Sequence, residues 1–318
     1  MAKSSASQCQ KRIPTCYSID ARNKEDVARL AQADGQSASE YANRAISQYL
    51  DLSKFGPTVL SLVNYSAKSG KTTAATYLSI ALGDAGKRVL VVDLDFQGRV
   101  SMKLLGDQYA KLEYGVLDTF ELYDHRNDTL GMEEIVAPIR FENVQIAPNA
   151  FFSPNWKHLC SLHLEHEYTA TYGWHLQLRN ALKQMEGDYD FIVIDCPSDF
   201  GAFTKMSIEA QWAGNRTSRV VIPWREGEWR LPSPKPVIKK IGEISKGGEL
   251  GGARYRILYQ SILGKFPEKY PGMPCFSAMG EMENPVEHEE GSIVESLRGS
   301  WELVAREVIA DAQKPCSG

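Results

Sequence analysis

A strand, a short loop and a helix follow one another between residues 58 and 86, and a second strand comes directly after them. The run Thr58–Tyr65 (TVLSLVNY) is mostly apolar, and the run Arg88–Asp95 (RVLVVDLD) is rich in valine and leucine. Continuous apolar runs of this kind are typical of strands inside a parallel sheet, covered on both faces. Residues 72–86 between them have the pattern of a helix. This segment predicts an α/β fold with a doubly wound, mostly parallel sheet.

The loop between the first strand and the helix reads SAKSGKTT over residues 66–73. Backbone N–H groups of such a loop, together with the N-terminus of the next helix, bind phosphates. Lys71 adds a positive charge, and the Thr72 hydroxyl reaches Mg²⁺. The general pattern G-x-x-x-x-G-K-[ST] fails at its first glycine, because this chain has Tyr65 there. The loop therefore indicates phosphate binding, and it needs support from other motifs.

Acidic residues at the ends of two further strands give that support. Asp93 and Asp95 close the second run, and Asp195 closes the run 190–197 (DFIVIDCP). The carboxyl ends of parallel strands meet at the edge where open α/β sheets bind ligands. Three carboxylates there can hold the hydration shell of Mg²⁺ and position a water for in-line attack on a γ-phosphate. The alternative, that these acids are only solvated strand ends, leaves the GKTT loop unexplained.

From about Thr58 to its end, the chain resembles the ParA/MinD family of deviant Walker-A ATPases. The family patterns K-G-G-x-G-K-T-T, D-x-D-P-Q-G and Y-D-x-(apolar run)-D-x-P correspond here to SAKSGKTT, DLDFQG and YDFIVIDCP, in the same order. Similarity continues through RVVIPW, RILYQSIL and the segment 291–310. The resemblance implies an ATPase domain over residues 58–318 that uses ATP and Mg²⁺.

The resemblance also implies a function and partners. The chain would form a homodimer on binding ATP, bind DNA non-specifically and respond to a ParB-like or equivalent stimulating protein. In this way it would partition or position a plasmid or similar cargo. Two alternatives stay open: a nucleotide-responsive DNA-binding autorepressor of its own operon, and an ATPase that positions an organelle of the carboxysome type.

Individual residues receive roles from the same resemblance. Lys71 would grip the β- and γ-phosphates, and Asp95 would prepare the attacking water, which makes these two the candidate catalytic residues. The candidate Mg²⁺ ligands, partly through water, are Thr72, Asp93, Asp95 and Asp195. The candidate ATP-binding residues are Ser66, Ala67, Lys68, Ser69, Gly70, Lys71, Thr72 and Thr73 in the loop and Gln260 at the adenine.

The chain departs from the family at Ser66, where the signature lysine is expected. In the family that lysine reaches the phosphates of the partner in an ATP-bound dimer, which serine cannot do. A subgroup that positions carboxysomes also has serine there. Three interpretations compete: Lys68 or another lysine replaces the charge, hydrolysis is slow and partner-dependent, or ATP is bound without turnover. Intact acids favour retained ATP binding with weak hydrolysis. Phe96 replaces the usual proline, which predicts a local packing difference.

The first 50 residues differ in charge from the whole chain. They carry seven basic and five acidic residues, a net charge of +2, while the whole chain has −4. The pattern of residues 12–19 predicts a short strand, and that of residues 21–34 predicts a helix. A second helix is predicted to end at Leu50, and a linker over residues 51–57 follows it. This β-α-α order resembles the ribbon-helix-helix family of DNA-binding dimers. The resemblance implies a dimerisation and DNA-binding arm with Arg12 at the DNA; a helical dimerisation arm is the alternative.

The net charge of −4 excludes a protein that is basic over its whole surface, so DNA binding would need a local patch. The densest basic stretch of the main domain lies between residues 235 and 256. By the family resemblance, the DNA-binding residues in it are Lys239, Lys240, Arg254 and Arg256. A solvated helix face is the alternative interpretation of this stretch.

Apolar runs in the chain, such as Val89–Val92, are far shorter than the roughly 20 residues that a membrane helix needs. The N-terminal sequence MAKSSASQCQKR has no apolar core, and the six cysteines form no C-x-x-C pair. These features predict a cytoplasmic protein without a membrane partner. The resemblance to the ParA/MinD family implies association with the nucleoid.

Overall fold

The computed structural model describes residues 21–33, 37–39, 41–42, 56–120, 130–151, 153, 176–185, 187–213, 218–225, 234–246, 255–260, 275–279 and 295–313. The chain divides into two units, Met1–Leu52 and Ser53–Gly318. In the first unit, helix α1 (Ala21–Ala33) confirms the predicted helix over 21–34. The Tyr41 N–H donates to the Ser37 carbonyl over 2.9 Å, where the second predicted helix begins. The predicted strand with Arg12 lies outside the described residues, so the DNA-binding arm stays a prediction.

The second unit is built on a sheet of eight strands. Along the chain they are β1 (Thr58–Leu62), β2 (Val89–Asp93), β3 (Ala137–Pro138), β4 (Val144–Ala147), β5 (Phe191–Asp195), β6 (Arg219–Arg225), β7 (Tyr255–Gln260) and β8 (Cys275–Met279). Across the sheet their order is β3-β4-β2-β5-β1-β6-β7-β8. All neighbours pair in parallel except β3 with β4. The predicted mostly parallel sheet is confirmed.

Helices cover both faces of this sheet. They are α2 (Lys71–Asp84), α3 (Arg99–Leu105), α4 (Met132–Ile135), α5 (Gln177–Lys183), α6 (Ala202–Glu209), α7 (Lys235–Lys246) and α8 (Glu295–Gln313), with 3-10 helices at Gly106–Lys111, Val116–Thr119 and Ala210–Ala213. Alternate strand residues point to opposite faces. One core therefore joins one set of strand residues to α5, α6 and α7. The other core joins the alternate set to α2, α3 and α8.

Helix α8 is fixed to the sheet and to α2 by two kinds of contact. Trp301 is fully buried and its ring lies 6.2 Å from that of Tyr77 in α2. Near the other end of α8, the carboxylate of Asp311 lies 3.1 Å from the Arg256 guanidinium and 3.6 Å from that of Arg219. Arg219 is the first residue of β6 and Arg256 the second residue of β7. The last described helix is therefore tied to strands of the sheet by charge as well as by apolar packing. Among the described residues, no helix combines the length and apolar composition that crossing a membrane requires.

Candidate nucleotide site

The loops that follow β1, β2 and β5 meet because these three strands are neighbours in the sheet. In the register of the parallel pairs, Asp195 at the end of β5 lies beside both Leu62 of β1 and Asp93 of β2. Since parallel strands present their carboxyl ends at one edge, the three motifs found far apart in the sequence converge there.

The loop 66–73 turns tightly around the main chain of Ser66. The Ser66 carbonyl accepts hydrogen bonds from the Ser69 N–H (3.3 Å) and the Ser69 hydroxyl (2.9 Å). The Ser66 N–H donates to Asn64 Oδ1 over 3.1 Å. Gly70, which precedes α2, has φ of 86°, a left-handed conformation that favours glycine. The first N–H groups of a helix have no acceptor within the helix, and Gly70 has no side chain to cap them. The first N–H groups of α2 are therefore suited to bind phosphate oxygens.

Lys71, the first residue of α2, is buried although it carries a charge. Its ammonium donates to the carbonyls of Asn64 (3.2 Å) and Ser66 (3.0 Å) and to the hydroxyl of Ser198 (2.9 Å). Burial lowers the pKa of Lys71, and the nearby carboxylates, Asp195 first among them, oppose that effect. The ammonium is thus held among oxygen acceptors between the loop after β1 and the loop after β5.

Thr72 and Asp195 form the part of the site that suits a hydrated cation. The Thr72 hydroxyl donates to Asp195 Oδ2 over 3.0 Å. Asp195 is fully buried, and its Oδ1 has no hydrogen-bond partner among the described residues. Burial raises the pKa of Asp195, and the charges of Asp93 and Asp95 raise it further. Mg²⁺ binds proteins through one or two oxygen ligands and keeps several waters, so a hydroxyl beside a carboxylate with an unused oxygen fits that ion.

The three acids do not form a direct cage for a metal. In the described part of the chain, no group of three or more His, Cys, Asp and Glu side chains is placed to hold a metal ion. The Asp93 carboxylate instead accepts hydrogen bonds from the Ser101 N–H (2.9 Å), the Ser101 hydroxyl (2.7 Å) and the Asp95 N–H (3.1 Å). Burial raises the pKa of Asp93 to about 7. Asp93 is therefore bonded to the protein rather than directed at a shared metal-ligand set.

Asp95 differs from Asp93 because it is half-buried and lies in the loop after β2. One of its carboxylate oxygens, Oδ1, accepts from the Gln97 N–H over 3.1 Å. This orients the side chain through a local turn at the carboxyl edge of the sheet.

Aromatic side chains surround the loops at this edge. Tyr65, which replaces the first glycine of the general loop pattern, is 40% exposed, and its ring lies 4.3 Å from that of Phe200. Phe96 packs edge-on against Phe203 at 5.1 Å. Its ring lies against the core to which α6 contributes, and the predicted difference from the family's local packing stays a prediction.

The predicted DNA-binding residues fall into three groups. Lys239 and Lys240 lie on α7 with side chains that are 80% and 40% exposed, and both pair with Glu243. The Arg256 guanidinium is engaged by Asp311 and by the Tyr255 carbonyl, so it is poorly placed to bind a phosphate. Arg12 and Arg254 lie outside the described residues.

The side chain of Gln260, predicted to contact the adenine, also lies outside the described residues, although its backbone ends β7.

Sequence reasoning did not single out four polar residues of the site: Asn64, Ser101, Asn149 and Ser198. Asn64 and Ser198 follow β1 and β5 and contact the loop or Lys71. Ser101 and Asn149 bond to the DLDFQG segment. Asn149 comes two residues after β4, so the same rule that selected Asp95 and Asp195, a polar residue just beyond a strand, could have found it.

The sequence of this chain is similar to a known family and to several curated proteins. The family model AAA_31, an AAA domain, matches residues 57–246, more than half of the chain. The sporulation initiation inhibitor protein Soj of Bacillus subtilis is 30% identical over 188 residues, covering 59% of this chain and 66% of Soj. In Soj and other curated relatives, the match covers about two thirds of the relative or less.

Solved structures share the fold at lower identity. The apo structure of McdA from Cyanothece has a TM-score of 0.58 at 18% identity, covering 80% of this chain and 98% of McdA. A plasmid partition protein from Borrelia burgdorferi, solved with AMPPNP, has a TM-score of 0.57 at 16% identity, covering 80% of this chain and 98% of that protein. At these identities the likeness establishes the fold alone.

Proposed function

The chain belongs to the AAA_31 family and is of the ParA/MinD type, and from that premise we propose that it binds ATP with Mg²⁺, dimerises on binding it and hydrolyses it weakly. The ATP-bound dimer binds DNA non-specifically and positions a plasmid or similar cargo. A ParB-like or equivalent partner stimulates hydrolysis and release, in the cytoplasm on the nucleoid. The observation that carries the proposal is buried Lys71, held where the loops after β1 and β5 meet, beside the Thr72–Asp195 pair.

The proposed chemistry assigns each group one task. The Lys71 ammonium and the first N–H groups of α2 bind phosphate oxygens and neutralise charge that develops on them. Mg²⁺, when bound, supplies further positive charge at the phosphates, and Thr72 with Asp195 would hold it. Asp95 orients the attacking water through its half-buried carboxylate.

Two measurements on the wild type test this function. ATP turnover is followed by phosphate release, and DNA binding by co-sedimentation with ATP, with ADP and without nucleotide. We expect slow turnover and DNA binding that requires ATP. DNA binding that is the same in all three conditions would contradict the nucleotide-gated proposal.

Ser66→Lys tests whether the missing signature lysine limits hydrolysis. Ser66 is 8% exposed and lies at the loop's main-chain turn, so a lysine there enters the site directly. We expect basal ATP turnover to rise several-fold, because a positive charge is added where negative charge develops. Phosphate release by the dimeric protein is the measurement.

The matched control for that variant is Ala67→Lys, which adds the same charge at the exposed neighbouring residue. Turnover that rises equally in both variants would show a general effect of charge. Turnover that does not change in Ser66→Lys would count against the missing lysine as the limiting feature.

Replacing both Lys239 and Lys240 by alanine tests the DNA surface on α7. Each lysine that contacts a phosphate releases about one counterion, so the slope of log affinity against log salt should become shallower by about two. The affinity should fall for all DNA sequences alike. Fluorescence anisotropy with random-sequence duplexes at several salt concentrations measures both.

Two variants sharpen this test. Glu243→Gln removes the carboxylate that pairs with both lysines and should strengthen DNA binding. Lys111→Ala with Lys183→Ala removes two exposed lysines from other elements and should leave the salt slope unchanged. An equal loss in the α7 pair and in this control pair would assign the effect to net charge instead of the α7 surface.

A further inference from the structure

A closed ring of hydrogen bonds surrounds the main chain of Asp95. The Asp95 N–H donates to Asp93 Oδ1 over 3.1 Å, and the Asp95 carbonyl accepts from Asn149 Nδ2 over 3.0 Å. Ser101 completes the ring: its hydroxyl donates to Asp93 Oδ2 over 2.7 Å and accepts from the Asn149 N–H over 2.9 Å. The Asp95 N–H is thereby held by a residue of β2. The Asp95 carbonyl is held by Asn149 after β4 and also accepts from the Gly98 N–H over 2.8 Å.

The members of this ring other than Asp95 are completely buried. Asp93, Ser101 and Asn149 are each 0% exposed, whereas Asp95 is half-buried. A buried hydrogen bond has no water to replace it when a partner is lost, so the ring is costly to open. Asp95 is therefore the one member that faces the site, and the other three hold it from inside.

The orientation of Asn149 is determined by chemistry. The Asp95 carbonyl oxygen can only accept, so the Asn149 side chain must present its NH₂ group to it. The other end of that amide, Oδ1, is buried and has no partner among the described residues. The hydrogen bond that the Asn149 side chain makes is thus the one its NH₂ group donates to Asp95, and its Oδ1 accepts none from the described residues.

The segment that carries Asn149 is itself fixed by backbone contacts. The Pro148 carbonyl accepts from the Val116 N–H over 2.7 Å. A Cβ added at Gly115 would lie 2.5 Å from both the Pro148 carbonyl oxygen and the Ala150 nitrogen, so only glycine allows this approach. The main chain on both sides of Asn149 is therefore closely packed and held in place.

We propose that Asn149, Ser101 and Asp93 are positioning residues that hold the candidate catalytic residue Asp95 in its productive place. The inference rests on the proposed function, because it takes Asp95 as the group that orients the attacking water. It gives Asp93 a role in the ring in addition to its predicted action through the water shell of Mg²⁺. Positioning errors of about 1 Å lower turnover by about 100-fold, so loss of a ring bond acts on catalysis more than on ATP binding.

Ser101 offers a matched pair of variants. Threonine keeps the hydroxyl, and valine has the same shape without it. We expect Ser101→Val to lower kcat by about 10- to 100-fold with KM for ATP changed by less than about twofold. Ser101→Thr should restore most of kcat. Asn149→Asp, which replaces the donor by an acceptor at the same size, should behave like Ser101→Val.

Equal loss in Ser101→Thr and Ser101→Val, with thermal unfolding lowered to the same extent in both, would overturn the proposal in favour of a role in stability alone. A parallel change in kcat and KM would overturn it as well.

Hydrogen exchange measured by mass spectrometry separates this proposal from the proposed function. In the protein without nucleotide, the Asp95 amide should exchange at least about tenfold faster in Ser101→Val and Asn149→Asp than in the wild type, with β1 unchanged. If the wild type hydrolyses no ATP, the proposed function fails while the exchange result still decides whether the ring holds Asp95. Exchange at Asp95 that is unaltered in both variants overturns the ring.

Discussion

Lys71→Ala is expected to lower ATP turnover by at least about 100-fold, the cost of removing one donor from a preorganised anion site. Lys71 is 4% exposed and donates three hydrogen bonds to oxygens of two loops, so its ammonium has a fixed position. Affinity for ATP should also fall, because the charge binds phosphates in the ground state. Phosphate release and the binding of a fluorescent ATP analogue measure the two effects.

The controls for this variant address folding and charge. Lys71→Met keeps the length of the stem and removes only the charge, so it should lose turnover as Lys71→Ala does while filling the same space. Lys111→Ala removes an exposed lysine and should leave turnover within about twofold of the wild type. Turnover retained in Lys71→Met would contradict the phosphate-binding role assigned to Lys71.

Trp301→Ala is expected to lower the free energy of unfolding by about 3–5 kcal/mol, the usual cost of truncating a fully buried aromatic side chain. Trp301 is 0% exposed and stacks on Tyr77 of α2, and Val304, Ala305 and Val308 continue the same buried face of α8. Removal of the indole leaves a cavity between α8 and the helix that begins with Lys71. Urea denaturation followed by circular dichroism measures the change.

Two further variants test whether the loss of stability comes from the buried indole ring. Leu303→Ala lies on the same helix, is 52% exposed in the wild type, and should change stability by less than about 0.5 kcal/mol. Trp301→Phe keeps a ring in the core and removes an indole N–H that has no partner among the described residues, so its cost should be smaller. A change below about 1 kcal/mol in Trp301→Ala would contradict close packing of α8 on α2.

Much of the site's framework could be predicted from the sequence, because it depends on local patterns. The predicted strand and helix segments 58–65, 72–86, 88–95 and 190–197 contain the observed β1, most of α2, β2 and β5. In a parallel sheet the carboxyl ends of these strands lie at one edge, so the Gly-Lys loop after the first strand and the aspartates that end the other two are predicted to meet there. The strand runs were predicted longer than observed because apolar side chains such as Val63 continue into the core beyond the last paired residue.

The missing part of the prediction depends on contacts between distant segments. Ser101, Asn149 and Ser198 are common polar residues whose roles arise only when β2, β4, β5 and α3 are placed side by side. The family resemblance and the density of basic residues put Arg256 in a DNA-binding stretch, but Asp311, far along the chain, pairs with it near the start of β7. Pattern and charge counts contain no information about such partners.

The position of β1 in the sheet has a consequence for the order in which the protein acquires its site. β1 carries the phosphate-type loop, yet its neighbours are β5 and β6, with Thr58 beside Phe191 and Leu60 beside Arg219. A nascent chain that has released the loop from the ribosome still lacks both flanking strands, and α8 follows later still. Long-range parallel pairing of this kind is slow and leaves apolar strands uncovered in the meantime. The phosphate-type loop thus becomes competent only after β5 and β6 have been made, so chains that stop before these strands carry the motif without its site.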